Sequence, residues 1–307
     1  MKAELVKKWL GKLTQLNPAS GRGQCRGKAP HKPLLLLCLI DTAEAGELPG
    51  RTFTRTANLV LRFKEYGALV SERWPTRLDL RMPFFYLRTQ GFWQGFTFEM
   101  TSAQSPESCF VCELHEELFD LLDDADFRLK ARLLLISRYF EVHERVALLE
   151  SLGLCADGME KAEKQMYELN EEGEEAARKK GRSARFAVQV VSRYKFTCAL
   201  TGLCCLTSDG AAIVDAAHIE SWAASENDDI ENGLALSKNA HWMFDEGLWS
   251  VLGGGRVVLA PYRFIENGPE GLRLQPYAGR LLQFADGVTL RPNPECFARH
   301  RGFHGFR

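Results

Sequence analysis

A chain of 307 residues with 45% hydrophobic and 26% charged side chains has the composition of an ordinary globular protein and is too long for one core, so two domains are expected. The formal net charge of −1 conceals an asymmetry, since residues 1–98 carry 16 Lys and Arg against 7 Asp and Glu, and residues 99–150 carry 5 against 12. The start, MKAELVKKWLGKL, is amphipathic, no run approaches the ~20 apolar residues that span a bilayer, and the nine cysteines lack a disulfide-like rhythm, which together predict reduced thiols and a cytoplasmic protein without a membrane segment.

In chain order, Leu5, Trp9, Leu13 and Leu16 recur at near-helical intervals up to Asn17-Pro18, which predicts a core-facing first helix. Residues 17–32, NPASGRGQCRGKAPHK, intersperse Arg22, Arg26, Lys28 and Lys32 with Gly, Pro and Ser and read as a flexible basic loop, either a solvated connector or a contact for phosphates. HKPLLLLCLIDTAEAGEL sets Pro33 near a first helical turn and ends at Gly46; being apolar nearly all round, it is the expected centre of the first domain. A further helix is expected within residues 53–70, packed through Leu59, Leu61, Phe63 and Leu69. In RWPTRLDLRMPFFYLRTQGFWQGF, arginines and aromatics interleave; the bland alternative to a binding surface is that residues 83–87 form an ordinary buried strand, with Phe84 and Tyr86 inward by alternation. Cys109-Phe-Val-Cys112 has the spacing of half a zinc site, but no second half follows, so core packing is expected. ELHEELFDLL and FRLKARLLLISRYF predict helices that complete this domain, and MEKAEKQMYELNEEGEEAARKKGR, dense in charge of both signs, predicts a solvated helical connector.

The second half holds the chemistry. Ile213 and Val214 give strand character, Ile219 continues the apolar run, Asn232-Gly233 is a strong turn signal, and Leu234, Ala235 and Leu236 form a short second strand. Ser237 can cap a helix that carries His241, Trp242, Phe244 and Asp245 and stops at Gly247. WSVLGGGRVVLAP reads as a hairpin through residues 253–255, and the tail from Arg291, with four Arg, two His and one Glu, is either a phosphate contact or a solvated end. An imidazole with an ordinary pKa near ~6.5 can serve as a base toward water at neutral pH, and His218 is the candidate for that task. His241 is a candidate ligand for a hard cation.

The order His218, Asn232, His241, with its AHI, NGLAL and NAHWMFDEG contexts, resembles the HNH family of nucleases, whose ββα-metal core is a two-stranded ribbon and a helix gripping one divalent ion. ARFAVQVVSRYKFTCALTG resembles the helix and turn that lead into this core. The resemblance implies that Asn232 braces the loop that orients His218. Many members carry Asp or His immediately before the base as a metal ligand, whereas this chain has Ala217; alternation puts Asp215 on the face of Ala217, so Asp215 is the expected replacement, with Asp245 the other candidate carboxylate. Some members bind a structural zinc through two CxxC pairs, but the corresponding places are Cys198, Thr201, Ser237 and Ala240, so no structural zinc is expected. The implied cofactor is one Mg2+ or Mn2+.

HKPLLLL and MPFFYLRTQGFW in turn resemble the N-terminal sulfur-binding domain of bacterial restriction endonucleases that recognise phosphorothioate-modified DNA, which precedes a C-terminal HNH domain. A reader of that mark needs cationic donors for phosphate oxygens and an apolar wall for a polarizable, poorly hydrated sulfur. Arg81 and Arg88 beside Pro83, Phe84 and Tyr86, with His31 and Lys32, offer both. The expected fold is therefore α+β: a mostly helical recognition domain over residues 1–155, a charged helical linker over 156–182, and an HNH nuclease domain over 183–307. The expected partner is double-stranded, phosphorothioate-modified DNA, and a homodimer would serve double-strand cleavage. The alternatives are an HNH nuclease that reads a methylated base or an unmodified sequence, and a DNA-binding protein with a degenerate nuclease domain.

Overall fold

The computed structural model describes residues 2–76, 78–154, 171–289 and 291–306, and it divides into two compact units, Met1–Arg185 and Phe186–Arg307. The first comprises α1 (Lys2–Leu13), α2 (His31–Glu44), β1 (Thr52–Thr54), α3 (Ala57–Ala68), α4 (Arg81–Tyr86), β2 (Trp93–Phe96), β3 (Val111–Leu114), α5 (Glu116–Leu121), α6 (Ala125–Tyr139) and α7 (Val142–Ser151). Every residue from Leu34 to Ile40 is at most 3% exposed, because α3, α4 and α6 surround α2; a helix apolar on all sides has to be covered on all sides. The strands form an antiparallel sheet in the order β1-β3-β2, from which Phe53 and Trp93 meet Phe84 edge-on.

Three expectations are corrected in this unit. Residues 81–86 are helical rather than extended, so the periodicity that applies is 3.6: Pro83, Phe84 and Phe85 face inward and Tyr86 is exposed. The basic loop is ordered by its own hydrogen bonds. Gly21 N donates to Gly27 O and Ala29 N to Ala19 O, both at 2.8 Å, while Arg26 N donates to Arg73 O at 3.0 Å. Beneath it the buried Arg73 guanidinium donates to both Glu144 carboxylate oxygens, at 2.9 and 3.1 Å, and to the carbonyl of Lys28. Finally, the expected linker lies outside the described residues over 156–170, but its remainder belongs to α8 (Glu171–Arg193), where Ala177 is buried and Arg178 pairs with Glu150 at 2.6 Å. Small side chains on one face let a charge-rich helix lie against α7 instead of standing in solvent.

The Cys109-Cys112 pair, expected to pack in the core, lies at and just before β3. Cys109 and Cys112 are fully buried, and burial pushes both thiols up, as expected of core cysteines.

In the second unit, β4 (Val214–His218) and β5 (Gly233–Ser237) form an antiparallel ribbon that aligns His218 with Gly233. A Cβ on Gly233 would lie 2.3 Å from Val190 Cγ2, so the glycine lets α8 seat directly on the ribbon. The ribbon leads into α9 (Lys238–Asp245), a hairpin of β6 (Trp249–Leu252) and β7 (Arg256–Leu259), and finally α10 (Pro294–His304), which packs on β6. Ser237 occupies the N-cap position of α9 but makes no side-chain cap; its hydroxyl instead accepts from Cys198 Sγ at 3.6 Å. No described helix is long and apolar enough to cross a membrane.

Candidate active site

Strand alternation decides which side chains reach the open face of the ribbon. His218 and Ala216 line a cleft of about 570 Å³, whose other walls include His241 and Asp245 from α9 and His300 and His304 from α10. His241 Nε2 lies 3.4 Å from Asp245 Oδ2, one helical turn away. Burial pushes the Asp245 carboxyl up against the opposing pull of His241. His304 is pushed down, first by burial and then by Arg263.

His218 is held on three sides. Its ring stacks on Phe186 at 3.8 Å with an interplanar angle of 4°, and Nε2 meets Asp228 Oδ1 at 2.9 Å. The backbone that follows it is closed by Asn232, which is fully buried. Asn232 Oδ1 accepts from Glu220 N at 2.9 Å, and its Nδ2 donates to Glu220 O at 3.0 Å and Asn227 O at 2.9 Å. Ile219 N also donates to the Asn232 carbonyl at 2.8 Å. A buried amide with both ends satisfied defines one loop geometry, because any other leaves desolvated polar atoms without partners.

Asp215 is corrected as a metal ligand. It sits one residue out of phase with Ala216 and His218, so alternation turns it to the opposite face, where it pairs with Lys238 at 2.8 Å. The same phase sends Ala217 into the core, 1% exposed. Two carboxylates line the cleft with His241: Asp245, one helical turn from it, and Glu220, which pairs with Arg299 at 2.5 Å. An imidazole nitrogen and a carboxylate oxygen on one wall suit a hard cation that takes few protein ligands and completes its shell with water and phosphate oxygens. Among the described residues, no group of three or more His, Cys, Asp or Glu side chains is placed to hold a metal.

The sequence did not single out Asp228, or the face of α10 that carries Arg299, His300 and His304. Asp228 has no local signature, since its partners lie 10 and 6 residues upstream and meet it only when the loop folds back. The concentration of Arg and His after residue 291 was a visible signal, but it gave no location.

In the first unit the two singled-out motifs meet. Lys32 Nζ, at the start of α2, reaches Asn17 O at 3.2 Å and Thr89 Oγ1 at 3.4 Å, just beyond α4. His31 meets Trp74 edge-on at 5.6 Å, and burial pushes both His31 and Lys32 down. The Arg88 guanidinium lies 3.7 Å from the Phe85 ring centroid and donates to Ala103 O at 2.7 Å. Arg81 pairs with Asp79 at 2.6 Å, a bond that holds the Asp79 carboxyl below its usual range. Phe84 and Pro83, expected at the DNA surface, are corrected: both are buried, Phe84 completely, because α4 turns them into the core. Tyr86 and Met82, one turn apart, are the large apolar groups that α4 leaves exposed.

Residues 6–157 match the family model described as ScoMcrA-like, DNA sulfur-binding domain, and residues 198–252 match that of the HNH endonucleases. Among solved structures, similarity is found to "Modification dependent TagI restriction endonuclease", at 22% identity over 40% of this chain and 38% of that one, with a TM-score of 0.31. It is also found to "Sulfur binding domain of SprMcrA complexed with phosphorothioated DNA", at 24% identity over 50% of this chain and 96% of that one, with a TM-score of 0.37. No curated protein matches the chain. The two family matches follow one another along the chain, a ScoMcrA-like DNA sulfur-binding domain over residues 6–157 and an HNH endonuclease domain over residues 198–252.

Proposed function

We propose that the chain is a modification-dependent DNA endonuclease whose first unit selects phosphorothioate-modified duplexes and whose second unit hydrolyses a phosphodiester bond. The observation that carries the nuclease half is the convergence of His218, His241 and Asp245 on one cleft, beside a loop that Asn232 closes. His218 is the general base. His241 and Asp245 would hold one Mg2+ or Mn2+, which when bound supplies positive charge for the phosphate and the leaving oxygen. Asn232 keeps the His218 loop in one geometry. Recognition is supported by the cationic and apolar groups around the start of α2 and the end of α4, with His31, Lys32, Arg88 and Arg81 as donors. There Tyr86, with Met82, takes the role of apolar wall that Phe84 cannot fill.

The test uses the full chain on phosphorothioate and plain duplexes of one sequence with Mn2+. His218→Ala should bind as the wild type does and lose about 10²- to 10⁴-fold in cleavage rate, because the attacking water loses its base. Cleavage by that variant at the wild-type rate would remove His218 from the mechanism. Equal wild-type affinity for both duplexes would turn the reading toward another mark or an unmodified sequence.

A further inference from the structure

The Asp228 carboxylate touches two ring nitrogens with different constraints. Oδ2 accepts from Trp222 Nε1 at 3.2 Å, and an indole nitrogen can only donate. Oδ1 lies 2.9 Å from His218 Nε2, and a carboxylate can only accept. The ring nitrogen that faces it therefore carries the proton, which in a neutral imidazole leaves the lone pair on Nδ1. We propose that Asp228 is the positioning residue for His218, fixing the tautomer in which Nδ1 receives the proton of the attacking water.

The surroundings make this arrangement rigid. Phe186 stacks on the face of the imidazole and opposes tilting. Asp228 itself lies between two anchored neighbours: Asn227 O accepts from Asn232 Nδ2 at 2.9 Å, and Asp229 N donates to Asn227 Oδ1 at 2.9 Å. Asp229 O in turn accepts from Asn232 N at 2.8 Å. Asn232 thus acts on His218 through the loop that presents Asp228. In the step itself the water's proton passes to Nδ1 and its oxygen forms the new P–O bond. The ester oxygen leaves with the bonding electron pair and takes a proton from solvent water. This inference rests on the reading of His218 as the base.

The test is made on the full chain, first without metal. Nitrogen-15 NMR of the histidine rings, with the His218 signals assigned by their loss in His218→Ala, should show His218 with its proton on Nε2. Asp228→Asn is nearly isosteric but offers one acceptor oxygen where His218 and Trp222 each need one, so both tautomers should appear. With Mn2+ and the phosphorothioate duplex, its cleavage rate should fall about 10- to 100-fold at unchanged DNA affinity. The same substitution placed in His218→Ala should cause no further loss. If Asp228→Asn does not fold, Asp228→Glu carries the test, since it keeps a carboxylate and should keep the Nε2 proton while displacing the ring and slowing cleavage. A proton on Nδ1 in the metal-free wild type would overturn the Asp228 assignment alone. So would wild-type cleavage by Asp228→Asn, or an equal further loss in the His218→Ala background. Wild-type cleavage by His218→Ala would instead overturn the general-base reading.

Discussion

His300 shows how one residue ties the nuclease fold to pH. Burial, helped by His304 and Arg301, pushes its imidazole down to about 4 from an ordinary value near 6.5. The neutral ring sits between Ser250 Oγ at 3.0 Å and the Phe244 carbonyl at 3.2 Å, stacked on the Phe244 ring. Between those two pKa values the unfolded chain binds the proton more readily, so the contribution to stability is complete above pH ~6.5 and is lost as pH falls toward ~4. The loss should reach on the order of 3 kcal/mol. Urea midpoints of wild type and His300→Gln at pH 7 and 4.5 should differ in pH dependence by this component, and parallel curves would remove it. The metal assignment belongs to the same scale. Asp245→Asn should raise the Mn2+ concentration for half-maximal cleavage about 10-fold or more. Asp215→Asn weakens its partly exposed pair with Lys238, on the face of the ribbon away from the cleft, and should leave that concentration unchanged. The reverse result would restore Asp215 as the ligand.

Among the elements, the loop before α2 depends on a pair that lies far from it in sequence. Arg73 and Glu144 side chains are 3% and 0% exposed, and Arg73 also holds the Lys28 carbonyl of the loop. Glu144→Ala removes the buried carboxylate from the guanidinium, which keeps the longer 3.8 Å pair with the exposed Glu141, and should cost about 3–5 kcal/mol. Because Arg73 then loses its orientation, amide hydrogen exchange over residues 19–29 should accelerate. A melting temperature and exchange pattern equal to wild type would show that the pair is dispensable. The ribbon and α9 illustrate the opposite case of local determination: alternation alone places His218 on one face and Asp215 on the other, and the 3.6 period alone brings Asp245 under His241.

For the whole molecule, the division of labour predicts that discrimination resides in the first unit, which has its own core around α2. A fragment of residues 1–185 should therefore prefer phosphorothioate over plain duplex by the ratio that the full-length His218→Ala variant shows. Affinity for both duplexes should fall steeply with salt, since Lys and Arg displace counterions from any phosphate. The ratio should change less, because its source is desolvation of sulfur against an apolar wall. A folded fragment that binds both duplexes equally across a salt series would place discrimination elsewhere.

The sequence by itself determined most of the nuclease core. His218, Asn232 and His241 were legible because a hairpin and its following helix are local, and turn chemistry with period 2 and period 3.6 patterns fixes their relative faces. It also determined α2 as the centre of the first unit, since a helix apolar on every side has one place to go. Tertiary structure alone decided what closes the cleft and which side chains of α4 reach the surface. Asp228 meets His218 and Trp222 only when a loop folds back, and α10 brings His300 and His304 to the cleft from more than 50 residues away. Phe84 and Tyr86 were ambiguous for a related reason. A short run of aromatics fits a strand or a helix equally well, and only the packing of α4 on α2 sent Phe84 into the core and left Tyr86 in solvent.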